Sequence, residues 1–290
     1  IMRVSAMNDC NRTFFEYVKS RRLAELNQFY EQHRDTIDVN WSNPLDWHST
    51  PLIKAVCHGF REMIIWLLET ANANPNTKDF SGCTPLYHAT WSEDIVRLLL
   101  DHGADVNGQT SSKETALIMA ARMGSQDVVQ TLLEFKADPS IRNAEMSTAF
   151  LEAAASRMYG VARLLLSFGA NRHDRDERNQ NALIRIISKL YPVTSPKAVS
   201  KEFMIRKVLQ WGVDIDVVSN YRGTALHWAI TKRYRRIVRI LLGHGANTFL
   251  RYPNGLAALA LCFENKDRAL TKDLLKWESK CVPFTLVSFS

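Results

Sequence analysis

No pair among the five cysteines, Cys10, Cys57, Cys83, Cys262 and Cys281, stands as C-x-x-C, and their number is odd. That excludes the disulfide framework of a small secreted domain and gives no sign of a zinc site. Reduced thiols packed as small apolar residues are expected instead, with Cys57, Cys83 and Cys262 inside a core. A reducing compartment, cytosol or nucleus, goes with them. Long apolar runs are missing too. The longest, Leu256 to Phe263, is less than half of the roughly 18 residues that a membrane span needs. Ile1 to Cys10 holds no apolar core of signal-peptide kind, and Ile1 ahead of Met2 reads as a trimmed piece of a longer chain. There is no G-x-x-x-x-G-K-[ST], no G-x-G-x-x-G after a strand, no H-E-x-x-H and no G-x-S-x-G. The eight histidines are scattered. Neither catalysis nor a cofactor, a metal or a small-molecule substrate is expected of these residues, although a catalytic domain could lie beyond either end.

What is present is a folded composition, 46% hydrophobic and 23% charged, well away from that of disordered chains. Acidic residues thin out along it. Residues 1–145 hold 14 Lys and Arg against 19 Asp and Glu, a net −5, while residues 146–290 hold 23 against 11, a net +12. Such an asymmetry biases the partners that approach the second half.

One phrase recurs: Thr50-Pro51-Leu52-Ile53, Thr84-Pro85-Leu86-Tyr87, Thr115-Ala116-Leu117-Ile118, Thr148-Ala149-Phe150-Leu151, Asn181-Ala182-Leu183-Ile184 and Thr224-Ala225-Leu226-His227. The successive spacings are 34, 31, 33, 33 and 43 residues. Behind most copies comes a leucine pair, then Gly or Lys, Ala, and Asp or Asn, as in Leu99-Leu100-Asp101-His102-Gly103-Ala104-Asp105 and Leu132-Leu133-Glu134-Phe135-Lys136-Ala137-Asp138. Each part has a physical reason. The Thr hydroxyl can cap free N–H groups of a first helical turn. Pro51 and Pro85 fall at the first helical position, where no N–H is needed. Small residues such as Ala55, Ala89, Ala120 and Ala154 let helices approach closely. The leucines bury the second helix, and Gly103, Gly169, Gly212 or Gly245 ends it in a left-handed conformation.

On these phrases the sequence resembles the ankyrin repeat family, whose period is near 33 residues with a T-P-L-H-x-A core. Thr84 to Ala89 with Asp101 to Asn107, and Thr224 to Ala229 with His244 to Asn247, carry the likeness. It covers roughly residues 14 to 278. The resemblance implies an all-α solenoid of about eight helix-turn-helix units with short β-hairpin tips, in one domain over 1–290. Residues 14–47 would be an N-terminal capping repeat, 48–255 six central repeats, and 256–290 a C-terminal capping repeat and tail. It also implies that His102, His227 and His244 bond the hairpin backbone.

The pattern breaks twice. The Thr84 unit is short, with Trp91-Ser92-Glu93-Asp94 in place of a glycine turn, so its first helix should be clipped. Trp91 is then either displayed at that turn or packed over the gap. The Asn181 unit is long, with an insertion near 188–203 that should loop out of the repeat. Ser195-Pro196-Lys197 within it resembles a proline-directed phosphorylation site.

The resemblance implies a binding scaffold or adaptor in which a partner docks in the concave groove, on hairpin tips and exposed first-helix positions. The tips include Trp47, His48, Phe80, Glu145, Arg178, Tyr221, Arg222, Arg251 and Tyr252. The first-helix positions include Lys54, His58, His88, Trp91, Arg122, Met123, Arg185, Trp228 and Lys232. Trp, Tyr and Arg are enriched among interface hot spots, so Trp47, Phe80, Trp91, Arg122, Met123, Arg185, Tyr221, Arg222, Trp228, Arg251 and Tyr252 form the candidate surface. Its arginines suit an extended, acidic or phosphorylated protein segment. Lys232-Arg233-Tyr234-Arg235-Arg236 with Arg239 is a second basic cluster, expected to face water. Asn107 matches the hairpin asparagine that an asparaginyl hydroxylase modifies in this family. Two further readings stay open. One is single-stranded RNA or other nucleic acid on the basic half, with Tyr221, Tyr252 and Trp228 stacking on bases. The other is the substrate-recognition part of a larger ubiquitin ligase or channel.

Overall fold

The computed structural model describes residues 2–189, 198–251 and 255–281, and the described residues form sixteen helices. They fall into two compact units, residues 1–144 and 145–290. The first holds α1 (Met2–Lys19), α2 (Leu23–His33), α3 (Pro51–His58), α4 (Arg61–Glu69), α5 (Pro85–His88), α6 (Glu93–Asp101), α7 (Ala116–Met123) and α8 (Gln126–Glu134). The second holds α9 (Ala149–Ala155), α10 (Tyr159–Ser167), α11 (Ala182–Ser188), α12 (Lys201–Gln210), α13 (Ala225–Thr231), α14 (Arg235–Gly243), α15 (Ala258–Glu264) and α16 (Arg268–Cys281).

Consecutive helices pair as hairpins, and the pairs of each unit stack side by side. The recurring Thr is the reason that each pair starts where it does. Thr50, Thr84 and Thr115 accept the N–H of Ile53, Tyr87 and Ile118 at 3.3 Å in the first unit. In the second, Thr148 and Asn181 do the same for Leu151 and Ile184. Thr224 shares a capping box with His227. The second helices bury their leucine pairs, Leu99 and Leu100 in α6 and Leu132 and Leu133 in α8. The left-handed turn that follows is open enough for a side chain, since a Cβ on Gly103 (φ +83°) would meet nothing within 4 Å. Lys136 takes the same turn at φ +66°, so glycine there relieves backbone strain and makes no room.

Loop N–H groups are satisfied by a ladder that the sequence reading did not foresee. In the first unit, Asp38 Oδ1 accepts from Asn40 N and Asn40 Oδ1 from Asn74 N. Asn74 Oδ1 accepts from Asn76 N and Asn76 Oδ1 from Asp105 N. Asp105 Oδ1 then accepts from Asn107 N and Asn107 Oδ1 from Asp138 N, all these bonds lying between 2.7 and 2.9 Å. Backbone bonds also join neighbouring tips: Phe80 N to Trp47 O, Ser111 N to Ser81 O and Ala144 N to Ser112 O. Isolated bridges mark the tips at Asn43–Ser49, Ser219–Gly223 and Arg251–Ala257.

Several expectations change. Cys57 is exposed, at the solvent side of the last turn of α3, whereas Cys83 and Cys262 are buried as expected. His102 and His244 do not bond a hairpin. Each Nδ1 faces its own helix, on Leu98 O and Ile240 O at 2.8 Å, because these positions sit one turn past a carbonyl freed at a helix end. Phe203, at the far end of the expected insertion, belongs to α12, which Ser200 caps through Phe203 N. Ser195 and Tyr252 lie outside the described residues.

Candidate partner-binding surfaces

The hairpin tips of the second unit define a cleft of about 680 Å³, bordered by Arg178, Tyr221, Arg222, Trp228 and Lys232 and floored by Asp176, Gln180 and Arg185. Its tips hold one another: Glu177 N bonds Glu145 O, and Asn220 N bonds Arg178 O. Tyr221 stands 67% exposed at the rim. The Arg222 guanidinium lies 5.0 Å above the Trp228 ring, whose Nε1 is 3.4 Å from Ser219 Oγ. Cation–π contact of this kind pre-orders both side chains. Among the described residues no carboxylate pairs with Arg222 or Lys232.

Arg185 is placed differently from the other candidates. Its guanidinium meets Glu152 at 2.6 Å and Asp176 at 3.1 Å, with side-chain exposures of 14%, 5% and 6% for the three residues. Ser147 Oγ donates to the same Glu152 oxygen at 2.8 Å. Arg185 therefore ties the cleft floor together, and its charge is already matched. Arg251 bonds Gly255 O at 3.1 Å and is not part of the cleft lining. The second basic cluster is also partly matched. Arg235 meets Asp267 at 3.0 Å and Arg239 meets Asp273 at 2.9 Å, so two of its arginines brace α14 on α16. Asp267 is held below the usual carboxylate range by the Leu270 N–H, then by Arg235. His227 is buried, and burial depresses its pKa against hydrogen bonds to the backbone of Leu256 and Leu250.

In the first unit Trp47 and Phe80 stand exposed on adjacent tips, with the His48 ring stacked 6.2 Å from Phe80. The Thr84 unit is clipped as expected, since α5 is only four residues long. Trp91 does both things open to it. It is 51% exposed, and its ring lies over Gly59, where an added Cβ would come within 2.8 Å of it. Met123 is exposed beside Thr90, its sulfur 3.8 Å from Thr90 Oγ1. Arg122 is paired with Glu114, which also accepts from Tyr87 Oη at 2.8 Å. Burial would raise the Glu114 pKa, but Arg122 and the hydrogen bonds lower it overall. Asn107, the expected hydroxylation position, holds its rung of the loop ladder through Oδ1.

The first unit also gathers groups that the sequence did not connect. Asp79, Cys83 and His88 point ligand atoms at one another. Burial, with Asp79 and Glu114 nearby, pushes the Cys83 thiol up to about 11. Burial works against a proton on His88, and contacts with Cys57 and Asp79 outweigh it, so its pKa is raised. A spacing of Cys83 to His88 with Cys57 far upstream fits no familiar ligand template, and so carried no signal.

Capped helical hairpins at a period near 33 residues define a repeat protein. Comparison with known proteins agrees. A profile of ankyrin repeats in three copies matches residues 18–110 and 150–252, and a profile of many copies matches residues 92–133. The chain belongs to the ankyrin repeat family. Among curated proteins it is similar to 26S proteasome non-ATPase regulatory subunit 10 of Dictyostelium discoideum, 33% identical over 95 residues. That match spans 31% of this chain and 38% of the relative's length. Among solved structures, the ankyrin repeat domain of Bcl-3, a member of the IkappaB protein family, aligns with a TM-score of 0.65 at 23% identity, covering 78% of this chain and 98% of that one. The human ASB11 ankyrin repeat domain aligns with a TM-score of 0.66 at 23% identity, covering 79% and 98%. At that identity the likeness concerns the fold alone. No helix among the described residues is long and apolar enough to cross a membrane.

Proposed function

We propose that this chain is a protein-binding scaffold that captures an extended, partly acidic or phosphorylated segment of a partner protein in the cleft of its second unit. The carrying observation is Arg222, ordered over Trp228 beside exposed Tyr221, with no carboxylate of the described residues pairing with it or with Lys232. An incoming carboxylate or phosphate would meet a prearranged, unneutralised guanidinium, the geometry that favours bidentate pairing. Trp228 and Tyr221 would supply the apolar anchor. Trp47, Phe80, Trp91 and Met123 would form a separate apolar contact surface in the first unit. In this reading residues 1–290 act as one ankyrin domain with end caps at 14–47 and 256–290. It works in the cytosol or nucleus, where the buried thiols stay reduced. Ser195 phosphorylation and Asn107 hydroxylation remain candidate regulatory marks.

The test is capture from cell lysate with and without nuclease, wild type against Arg222→Glu. Proteins retained after nuclease and lost with Arg222→Glu are the expected result. Loss of all captured material on nuclease treatment would move single-stranded nucleic acid to first place, with a steep decline of binding in salt.

A further inference from the structure

In two repeats, a cation from the first helix sits on the carboxylate of the hairpin tip: Lys54 on Asp46 at 2.8 Å, and Arg185 on Asp176 at 3.1 Å. The Thr84 repeat keeps the carboxylate, Asp79, but replaces the fixed cation with His88, whose Nε2 lies 2.8 Å from Asp79 Oδ2. Two thiols gather at the same place. Ligand atoms of Asp79, Cys83 and His88 all lie within 4.8 Å of one another. Cys57, in the last turn of α3, lies near both His88 and Cys83. The carboxylate is already aimed, because Asp79 Oδ1 accepts the N–H groups of Ser81 and Cys83 at 2.9 Å each and leaves Oδ2 for the cluster. Cys83 is buried, while Cys57 is exposed and gives a path in from solvent.

We propose that Asp79, Cys83 and His88, with Cys57 as fourth ligand, bind one thiophilic divalent metal ion of the zinc class. Sulfur, imidazole and carboxylate donors together are the set such an ion takes, with bonds of about 2.0 to 2.3 Å in tetrahedral array. Such bonds place donors roughly 3 to 4 Å apart, so His88 and Asp79 open slightly and Cys83 closes in. Both thiols release their protons to solvent as the metal–sulfur bonds form. The ion supplies the positive charge that Lys54 and Arg185 supply elsewhere. It also braces the repeat whose first helix, α5, is the shortest among the described residues.

The test uses the full chain, stripped of metal, with its thiols reduced, titrated with Co(II) and then Zn(II). One equivalent of Co(II) should give thiolate-to-cobalt charge-transfer absorption that Zn(II) bleaches. Cys83→Ser should remove at least half of that absorption, Cys57→Ser should weaken binding by more than about tenfold, and Cys10→Ser should change nothing. His88→Gln, read the same way, stands in if circular dichroism shows Cys83→Ser unfolded. No charge-transfer band in the wild type, or a band of full intensity in Cys83→Ser or His88→Gln, overturns the site.

Discussion

Arg185→Met separates a residue that recognises a partner from one that holds the fold. The substitution keeps most of the side-chain volume but removes the guanidinium between Glu152 and Asp176. Both acids are nearly inaccessible. Asp176 keeps the backbone N–H groups of Arg178 and Gln180 on Oδ1, at 3.0 and 2.9 Å, but loses its partner on Oδ2. Glu152 keeps Ser147 on the same oxygen. Breaking a buried pair by removing one partner costs about 3–5 kcal/mol. Because both acids keep other hydrogen bonds, a loss near the low end, about 3 kcal/mol, is expected in urea denaturation followed by circular dichroism. Adding Glu152→Gln to Arg185→Met should restore part of that loss, as residues in one network couple. Arg222→Ala, at the exposed rim, should change stability by no more than about 0.5 kcal/mol. If Arg185→Met costs less than about 1 kcal/mol, the triad is solvated and Arg185 rejoins the residues free to meet a partner.

Asn107→Ala should cost about 1 kcal/mol by removing one loop bond, with amide exchange quickening at Asp138, its donor. Gly59→Ala should destabilise the first unit through both its φ of +69° and the 2.8 Å approach to Trp91. The loss should shrink in a Trp91→Ala background, which removes only the second cause. His227 fixes the sign of a pH effect. Its folded pKa is depressed from the model-peptide 6.5, so below pH 6.5 the unfolded chain binds more protons and stability falls on acidification. Replacing His227 with Gln should flatten that slope in thermal melts between pH 7 and about 5.

Much of the architecture could be read from spacing, because caps and buried leucines act within one turn of helix. Thr50, Thr84, Thr115, Thr148 and Asn181 cap where the phrase places them. The clipped helix before Trp91 followed from a count of residues. What sequence could not show is which exposed-looking side chains are consumed by neighbours from the adjacent repeat. Arg185 read as a candidate to meet a partner, yet it is paired with Glu152 of the preceding repeat, and Arg235 and Arg239, though still exposed, each meet an acid of the following one. The Asp79–Cys83–His88 cluster was hidden because its members meet only when the hairpin tip folds back on the helix that follows it, α5. Cys57 misled because the repeat pattern gives the position but not the side of the last helical turn.

The loop ladder of the first unit also gives that unit a mechanical grain. Its rungs run from Asp38 to Asp138 through Asn40, Asn74, Asn76, Asp105 and Asn107. Tension along the chain would load the rungs between loops in turn, and each break, together with the loss of one stacked interface, would free a single hairpin. Such a unit would lengthen under force in steps, each releasing roughly 100 Å of extended chain for a repeat of this period, and it would close again rung by rung when the load was removed.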